Sequence, residues 1–150
     1  SGIVNQVYKA SAELPLEMYK DLTSFKLYMS DVGLFVNKAR YPLYQIDLNS
    51  QPTMIAMGPL TENYVANELK SKGYELYYWE SDGKAELDFM IQKGIDIVPI
   101  EVKTSTHTKS RSLDIYKKMY NPQYAIRISE KNFGLENDIK SVPLYAVFCI

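Results

Sequence analysis

The segment 84–104 constrains the fold more than any other part of this sequence, because it contains two strand-like stretches separated by a turn. Apolar and polar residues alternate in KAELDFMIQ (84–92) and again in IDIVPIEVKT (95–104), and Lys93-Gly94 lies between them. Successive side chains of a strand point to opposite faces of a sheet. The pattern therefore predicts a hairpin with one apolar face and one charged face.

The predicted apolar face of this hairpin carries residues from both strands. They are Ala85, Leu87 and Phe89 in the first strand and Val98, Ile100 and Val102 in the second. Asp88, Glu101 and Lys103 point to the opposite face. Two carboxylates and a lysine are therefore expected to lie together.

The register of the hairpin decides how close Asp88 comes to Glu101. A tight loop places Asp88 opposite Pro99, and a loop two residues longer places it opposite Glu101, so both registers leave the two carboxylates on one face. At about 5 Å and an effective dielectric near 20, their repulsion is on the order of 3 kcal/mol. Lys103 would offset this repulsion, and so would a divalent cation, since clustered carboxylates are ligands that Mg²⁺ prefers. The alternative is an ordinary solvent-facing hairpin surface.

A third carboxylate, Glu62, lies on the apolar stripe of a predicted helix, LTENYVANELKSKG (60–73). At 100° per residue, Ala66 and Leu69 fall about 40° and 20° from it. A buried unpaired carboxylate costs several kcal/mol, so Glu62 requires a partner. In the alternative interpretation Glu62 caps the first turn of the helix, where free backbone N–H groups stabilise a carboxylate.

The remaining patterns place these elements in an α/β (α+β) fold. Strands are predicted at 3–9, 74–81, 123–129 and 142–150, and a helix at about 110–120. Residues 11–24 are loop-like, and 25–38 begin as a strand and continue as a short helix. Prolines interrupt residues 40–57, which predicts a lead-in region at 1–50 and the main domain at 51–150.

Composition limits the class of protein further. The 150 residues suffice for one domain with a core, and 46% apolar with 23% charged residues is ordinary globular composition. A net charge of -1 does not point to a nucleic-acid binder, although a local basic face would suffice. The single cysteine, Cys149, is expected in the core, and it excludes an internal disulfide within the chain. No membrane span or signal-peptide pattern is present, so we expect a cytoplasmic protein.

Six segments resemble the DUF4143 family, the C-terminal domain of bacterial and archaeal AAA-type ATPases. They are FKLYMSDVGL (25–34), GPLTENYVANEL (58–69), LYYWES (76–81), KAELDFMIQ (84–92), PIEVKTS (99–105) and SLDIYKKMY (112–120). FKLYMSDVGL and TENYVANEL are the most specific of these. The resemblance implies a PD-(D/E)XK restriction-endonuclease-like core, with a central mixed sheet flanked by helices.

The resemblance also implies roles for individual residues. Glu62 matches the helix acid that helps to bind or orient a metal, and Asp88 and Glu101 match the two metal-binding acids of the motif. Lys103 matches the lysine that positions or activates the attacking water and stabilises charge on the phosphate. The carbonyl of Val102 would complete the ligand set of Mg²⁺ (or Mn²⁺). The implied chemistry is hydrolysis of phosphodiester bonds in DNA.

A basic segment follows the lysine. Residues 103–118 contain five cations, Lys103, Lys109, Arg111, Lys117 and Lys118, against one acid, Asp114, with His107 among them. This composition is typical of a face that contacts phosphates, or of a solvated surface. His107 is expected to be a loop residue rather than a general base.

Two functions are compatible with the sequence. The first is an Mg²⁺-dependent nuclease, and the alternative is a non-catalytic module that binds nucleic acid or protein and regulates the ATPase. This chain has no G-x-x-x-x-G-K-[ST] motif, so it has no P-loop nucleotide site of its own. The resemblance implies that the ATPase module lies upstream in the full-length protein, and that residues 1–50 are the end of a linking segment related to a winged helix.

Overall fold

The computed structural model describes residues 2–40, 51–104 and 110–150, with side chains from residue 57 onward in the second range. Its strands are β1 (Val4–Ala10), β2 (Lys20–Met29), β3 (Tyr77–Ser81), β4 (Ala85–Lys93), β5 (Asp96–Val102), β6 (Ala125–Ser129), β7 (Gly134–Glu136) and β8 (Ile139–Pro143). Its α-helices are α1 (Val32–Lys38), α2 (Gln51–Ser71) and α3 (Arg111–Tyr120), and 3-10 helices span Leu16–Tyr19 and Leu144–Cys149.

The strands form one mixed sheet in the order β2-β1-β3-β4-β5-β6-β8-β7. The pairs β1–β3, β5–β6 and β6–β8 are parallel, and the other pairs are antiparallel. Helix α2 packs on one face with an apolar cluster that includes Leu69, Phe89 and Ile100. Helix α3 packs on the other face, where Leu113 and Tyr116 join a second cluster. The predicted mixed α/β sheet flanked by helices is therefore confirmed.

The β4–β5 hairpin has the register predicted for the longer loop, because Phe89 pairs with Ile100. Its ladder runs from Lys93↔Asp96 to Phe89↔Ile100, so Asp88 and Glu101 are the next residues of their strands beyond the last pair. The turn consists of Gly94 and Ile95, whereas the sequence pattern predicts a turn at Lys93-Gly94. Gly94 has a φ of 62°, which a residue without a Cβ adopts at low cost.

A β-bulge in β4 changes which residues of this strand share a face. Trp79 pairs with Leu87, but Tyr77 pairs with Met90, so β4 holds one extra residue between these pairs. Leu87 therefore packs in the α3 cluster, whereas Phe89 packs in the α2 cluster. The prediction that Ala85, Leu87 and Phe89 share one face is wrong, because a bulge reverses the alternation of a strand locally. Asp88 lies within this bulge.

Helix α2 begins earlier than the predicted start near residue 60, since it runs from Gln51 and contains Pro59. Its predicted end is confirmed, because Gly73 has a φ of 85° and Tyr74 N donates to Leu69 O at 3.3 Å. Glu62 therefore lies well inside the helix. A capping role in the first turn is excluded by this position.

The predicted strand at 142–150 is wrong beyond Pro143. Residues Leu144–Cys149 form a 3-10 helix in which Ala146 and Val147 are buried, and Cys149 is exposed instead of lying in the core. A short apolar run fits a strand and a helical turn equally well, so periodicity alone does not separate them. Strand β2 likewise begins at Lys20, inside the stretch 11–24 that was predicted to be a loop.

The first strands belong to the same sheet as the rest, since β1 pairs with β3 through Tyr8 and Tyr77. The boundary predicted between residues 50 and 51 borders residues 41–50, which lie outside the description, and it stays a prediction. Among residues 2–40, 51–104 and 110–150, none of the helices combines the length and the hydropathy of a membrane-spanning segment.

Candidate active site

Asp88 is held at the bulge by the backbone of the neighbouring strand. Its Oδ2 accepts a hydrogen bond from the Val102 N–H at 2.7 Å. Burial and the charge of Glu62 raise the pKa of Asp88 to about 7, against the opposing effects of that hydrogen bond and of Lys26. A carboxyl group with this pKa is only partly ionised at neutral pH.

Glu101 is the most buried charged residue of the hairpin. It is 3% exposed, and its Oε1 lies 3.0 Å from Lys103 Nζ. Its Oε2 is buried and has no hydrogen-bond partner among the described residues. The ion pair confirms that Glu101 and Lys103 share a face, and the second oxygen is available to a further ligand.

Glu62 approaches this hairpin from α2. It is half-buried, and Tyr28 Oη donates to its Oε2 at 3.4 Å, which is long for a hydrogen bond. Burial raises the pKa of Glu62, while Lys26, Tyr28 and Lys103 oppose the rise. The helical phase therefore identified a carboxylate that interacts electrostatically with Asp88 and Lys103.

Lys26 is a second lysine of this cluster, and it was not among the residues predicted for the site. Lys26 Nζ pairs with Glu86 and lies 5.0 Å from the centre of the Tyr78 ring. Burial lowers its pKa, but the bond to Glu86 and the charges of Glu86, Asp88 and Glu62 raise the pKa overall. The alternation of FKLYM already places Lys26 and Tyr28 on one face of a strand.

Two asparagines of α2 hold the helix against β2. Asn63 Oδ1 accepts from Met29 N at 2.7 Å, and Asn63 Nδ2 donates to Met29 O at 2.9 Å. Asn67 Nδ2 also donates to Met29 O at 2.9 Å, and its Oδ1 accepts from Asn5 Nδ2 at 3.1 Å. These bonds join β2 to α2, and so place Glu62 beside Tyr28.

A cleft of about 320 Å³ opens beside this cluster and is lined by Lys26, Tyr28 and Glu62, together with Pro59 and Asn63. A second cavity of about 340 Å³ lies elsewhere, against Ile95, Tyr116 and Tyr120. We regard the first as the relevant one, because it adjoins the ionisable groups with raised pKa values.

The residues of the predicted basic face that the structure describes are spread along α3. Arg111 and Lys118 are exposed near opposite ends of α3, and Lys117 Nζ donates to the carbonyl of Asn137. Lys109 and His107 lie outside the described residues. The prediction that Lys109, Arg111, Lys117 and Lys118 contact nucleic acid stays a prediction.

The donor chemistry fits a hard cation held by few protein ligands. In the ranges 2–40, 51–104 and 110–150, no three His, Cys, Asp or Glu side chains converge closely enough to hold a metal ion. Mg²⁺ commonly binds through one or two carboxylates and keeps several waters. Asp88, the orphaned oxygen of Glu101 and the carbonyl of Val102 match that pattern.

The chain folds into a mixed α/β domain in which carboxylates and lysines cluster at a central hairpin. A family model described as "Domain of unknown function (DUF4143)" matches residues 57–147, and the chain belongs to this family. The comparison with curated proteins finds no match, and neither does the comparison with solved structures.

Proposed function

We propose that this domain is a metal-dependent nuclease of the PD-(D/E)XK type that hydrolyses phosphodiester bonds in DNA. In the full-length protein it would be attached to an upstream AAA-type ATPase and work in the cytoplasm. The observation that carries the proposal is the buried, unpartnered Oε2 of Glu101, which belongs to a side chain already paired with Lys103. The next residue, Val102, donates its backbone N–H to Asp88. A buried acceptor without a donor favours a missing cationic ligand.

Asp88, Glu101 and the Val102 carbonyl would hold Mg²⁺ or Mn²⁺. Such an ion, when bound, lowers the pKa of a coordinated water and neutralises charge on the phosphate. Because the pKa of Asp88 is about 7, its carboxyl group must lose a proton to become a ligand. Binding of the ion is therefore expected to strengthen as the pH rises through about 7.

Lys103 is suited to the phosphate side of the reaction. Its side chain is 34% exposed, whereas that of Glu101 is 4% exposed. Lys103 therefore contacts the buried carboxylate and is still accessible from the solvent. From this position it would orient the attacking water and donate to a phosphate oxygen that gains negative charge. Glu62, half-buried beside Lys26, would hold a water molecule on the α2 side of the site.

The test is cleavage of single- and double-stranded DNA with Mg²⁺ or Mn²⁺. We expect Asp88→Asn and Glu101→Gln to reduce the rate by at least about 100-fold, since each removes a metal ligand. Asp82→Asn is the matched control, because Asp82 is exposed in the β3–β4 turn, and it should cleave like the wild-type protein. Absence of wild-type cleavage, or equal rates for wild type and Asp88→Asn, would refute the proposal.

A second candidate is a non-catalytic module that binds nucleic acid or protein and regulates the attached ATPase. The absence of three converging ligands in the described part of the chain favours it over a densely liganded catalytic centre. Salt-dependent DNA binding without cleavage would support this candidate. If DNA does not bind even at low salt, only the version with a protein partner remains.

A further inference from the structure

Arg127 is the next charged residue across the sheet from Glu101. Strand β6 pairs in parallel with β5, and the ladder aligns Glu101 with Arg127. The flanking pairs, Ile100↔Ile126 and Val102↔Ile128, all belong to the apolar cluster under α2. Since side chains alternate, Glu101 and Arg127 share the opposite face.

Arg127 and Glu101 do not form an ion pair with each other, although the ladder aligns them. Arg127 Nε is buried without a hydrogen-bond partner in the described part of the chain. The carboxylate of Glu101 is engaged by Lys103 through Oε1, and its Oε2 is likewise buried and unpartnered. A buried donor and a buried acceptor on neighbouring strands are thus both left without partners, which is uncommon in folded proteins.

Arg127 is half-buried, although one of its neighbours on the same face is fully buried. Ala125, two residues earlier on the same face, is fully buried in the α3 cluster. Arg127 is the middle residue of β6, and Lys103 directly follows the end of the parallel neighbour β5. Strand β5 is also the strand at which the pairing changes from antiparallel to parallel. The crevice outside the carboxyl ends of parallel strands is where open α/β sheets bind ligands.

We propose that Arg127 binds a phosphate group of the nucleic acid whose backbone is held at Asp88 and Glu101. The guanidinium group is planar and carries five donors, so it can give two parallel hydrogen bonds to phosphate oxygens. Together with Lys103, it would place a cation on either side of Glu101, one on its own strand and one on β6. This inference rests on the proposed function, because it assigns a further substrate contact to the same site.

The experiment measures binding of a fluorescein-labelled DNA duplex by anisotropy over a range of salt concentrations. Loss of one phosphate contact lowers the slope of log K against log [salt] by about 1. We expect that change for Arg127→Met, whereas Arg127→Lys should keep the slope and bind more weakly. Lys72→Met is the matched control, because Lys72 is exposed beyond the end of α2 and should leave both quantities unchanged.

The slope separates a phosphate contact from a structural role, since a merely destabilised protein loses active molecules without changing the slope. If Arg127→Met does not fold, Arg127→Gln replaces it. An unchanged slope in the neutral variant, with wild-type DNA binding intact, overturns the inference and leaves the proposed function standing.

A second arm uses inorganic pyrophosphate, with thermal stability as the readout. If DNA fails to bind but pyrophosphate stabilises the wild-type protein and not Arg127→Met, the anion contact stands and the proposed function fails. If pyrophosphate stabilises neither protein and DNA does not bind, both are overturned.

Discussion

Replacing Asp88 with Asn isolates the electrostatic cost of the acidic site. The amide keeps the volume of the side chain and can still accept the hydrogen bond that Val102 N–H now donates to Oδ2 at 2.7 Å. What it removes is a negative charge in a buried position close to Glu62. The folded protein is therefore expected to become more stable wherever Asp88 would be ionised.

The size of the effect follows from the pKa. Burial and the charge of Glu62 raise the pKa of Asp88 from 3.8 to about 7. At about 1.4 kcal/mol per tenfold change in proton affinity, this difference corresponds to at most roughly 4 kcal/mol. The residue retains some contact with solvent, so a gain of about 2 kcal/mol is the more realistic expectation.

The sign depends on pH. A carboxyl group whose pKa is raised on folding leaves stability intact below the unfolded value, near 4, and costs stability as the pH rises through about 7. Asp88→Asn should therefore match the wild-type protein near pH 4 and exceed it by about 2 kcal/mol near pH 8.

Urea denaturation in EDTA, followed by the fluorescence of the single tryptophan, measures this difference. Trp79 is 3% exposed and packs edge-on against Tyr116, with 5.1 Å between the ring centres, so its emission should report unfolding. Asp82→Asn, in an exposed turn, should stay within about 0.5 kcal/mol of wild type at both pH values. A stability difference between Asp88→Asn and wild type that is the same at both pH values would refute the electrostatic reasoning.

Two further substitutions test how the site is held and balanced. Asn63→Ala removes both hydrogen bonds to the backbone of β2 and should lower the free energy of unfolding by about 2–4 kcal/mol. Urea denaturation measures this change. The control Asn37→Ala, at an exposed position, should change the free energy of unfolding little. Lys26→Met removes a cation that partly offsets the rise in the pKa of Asp88. The loss of stability between about pH 5 and about pH 8 should therefore become steeper than in the wild-type protein. An unchanged pH profile would show that Lys26 does not compensate the acidic cluster.

Strand parity and helical phase predicted much of the candidate site. The alternation in IVPIEVK placed Glu101 and Lys103 on one face, and their ion pair at 3.0 Å confirms it. Helical phase placed Glu62 on the buried side of α2, where it meets Tyr28. Both inferences depend only on neighbouring residues, and local geometry is the part of structure that a pattern encodes directly.

The errors arose where distant segments override local pattern. The bulge in β4 depends on how β4 pairs with β3, and it moves Phe89 to the face opposite Leu87. The early start of α2 was hidden by Pro59, which is tolerated inside the helix. The apolar run after Pro143 forms 3-10 turns with a kink at Ala146, and Ala146 and Val147 are buried there in the cluster under α2.

The sequence by itself determined that Glu101 of β5 and Lys103, which directly follows this strand, share a face, because side-chain direction in an extended chain repeats every two residues. Only the tertiary structure brought Lys26 from β2, Glu62 from α2 and Arg127 from β6 toward that hairpin. These residues lie far apart along the chain, and their proximity depends on strand order and on contacts such as the bonds between Asn63 and the Met29 backbone. Such long-range pairing depends on the combined packing of the sheet and helices, which no single segment encodes.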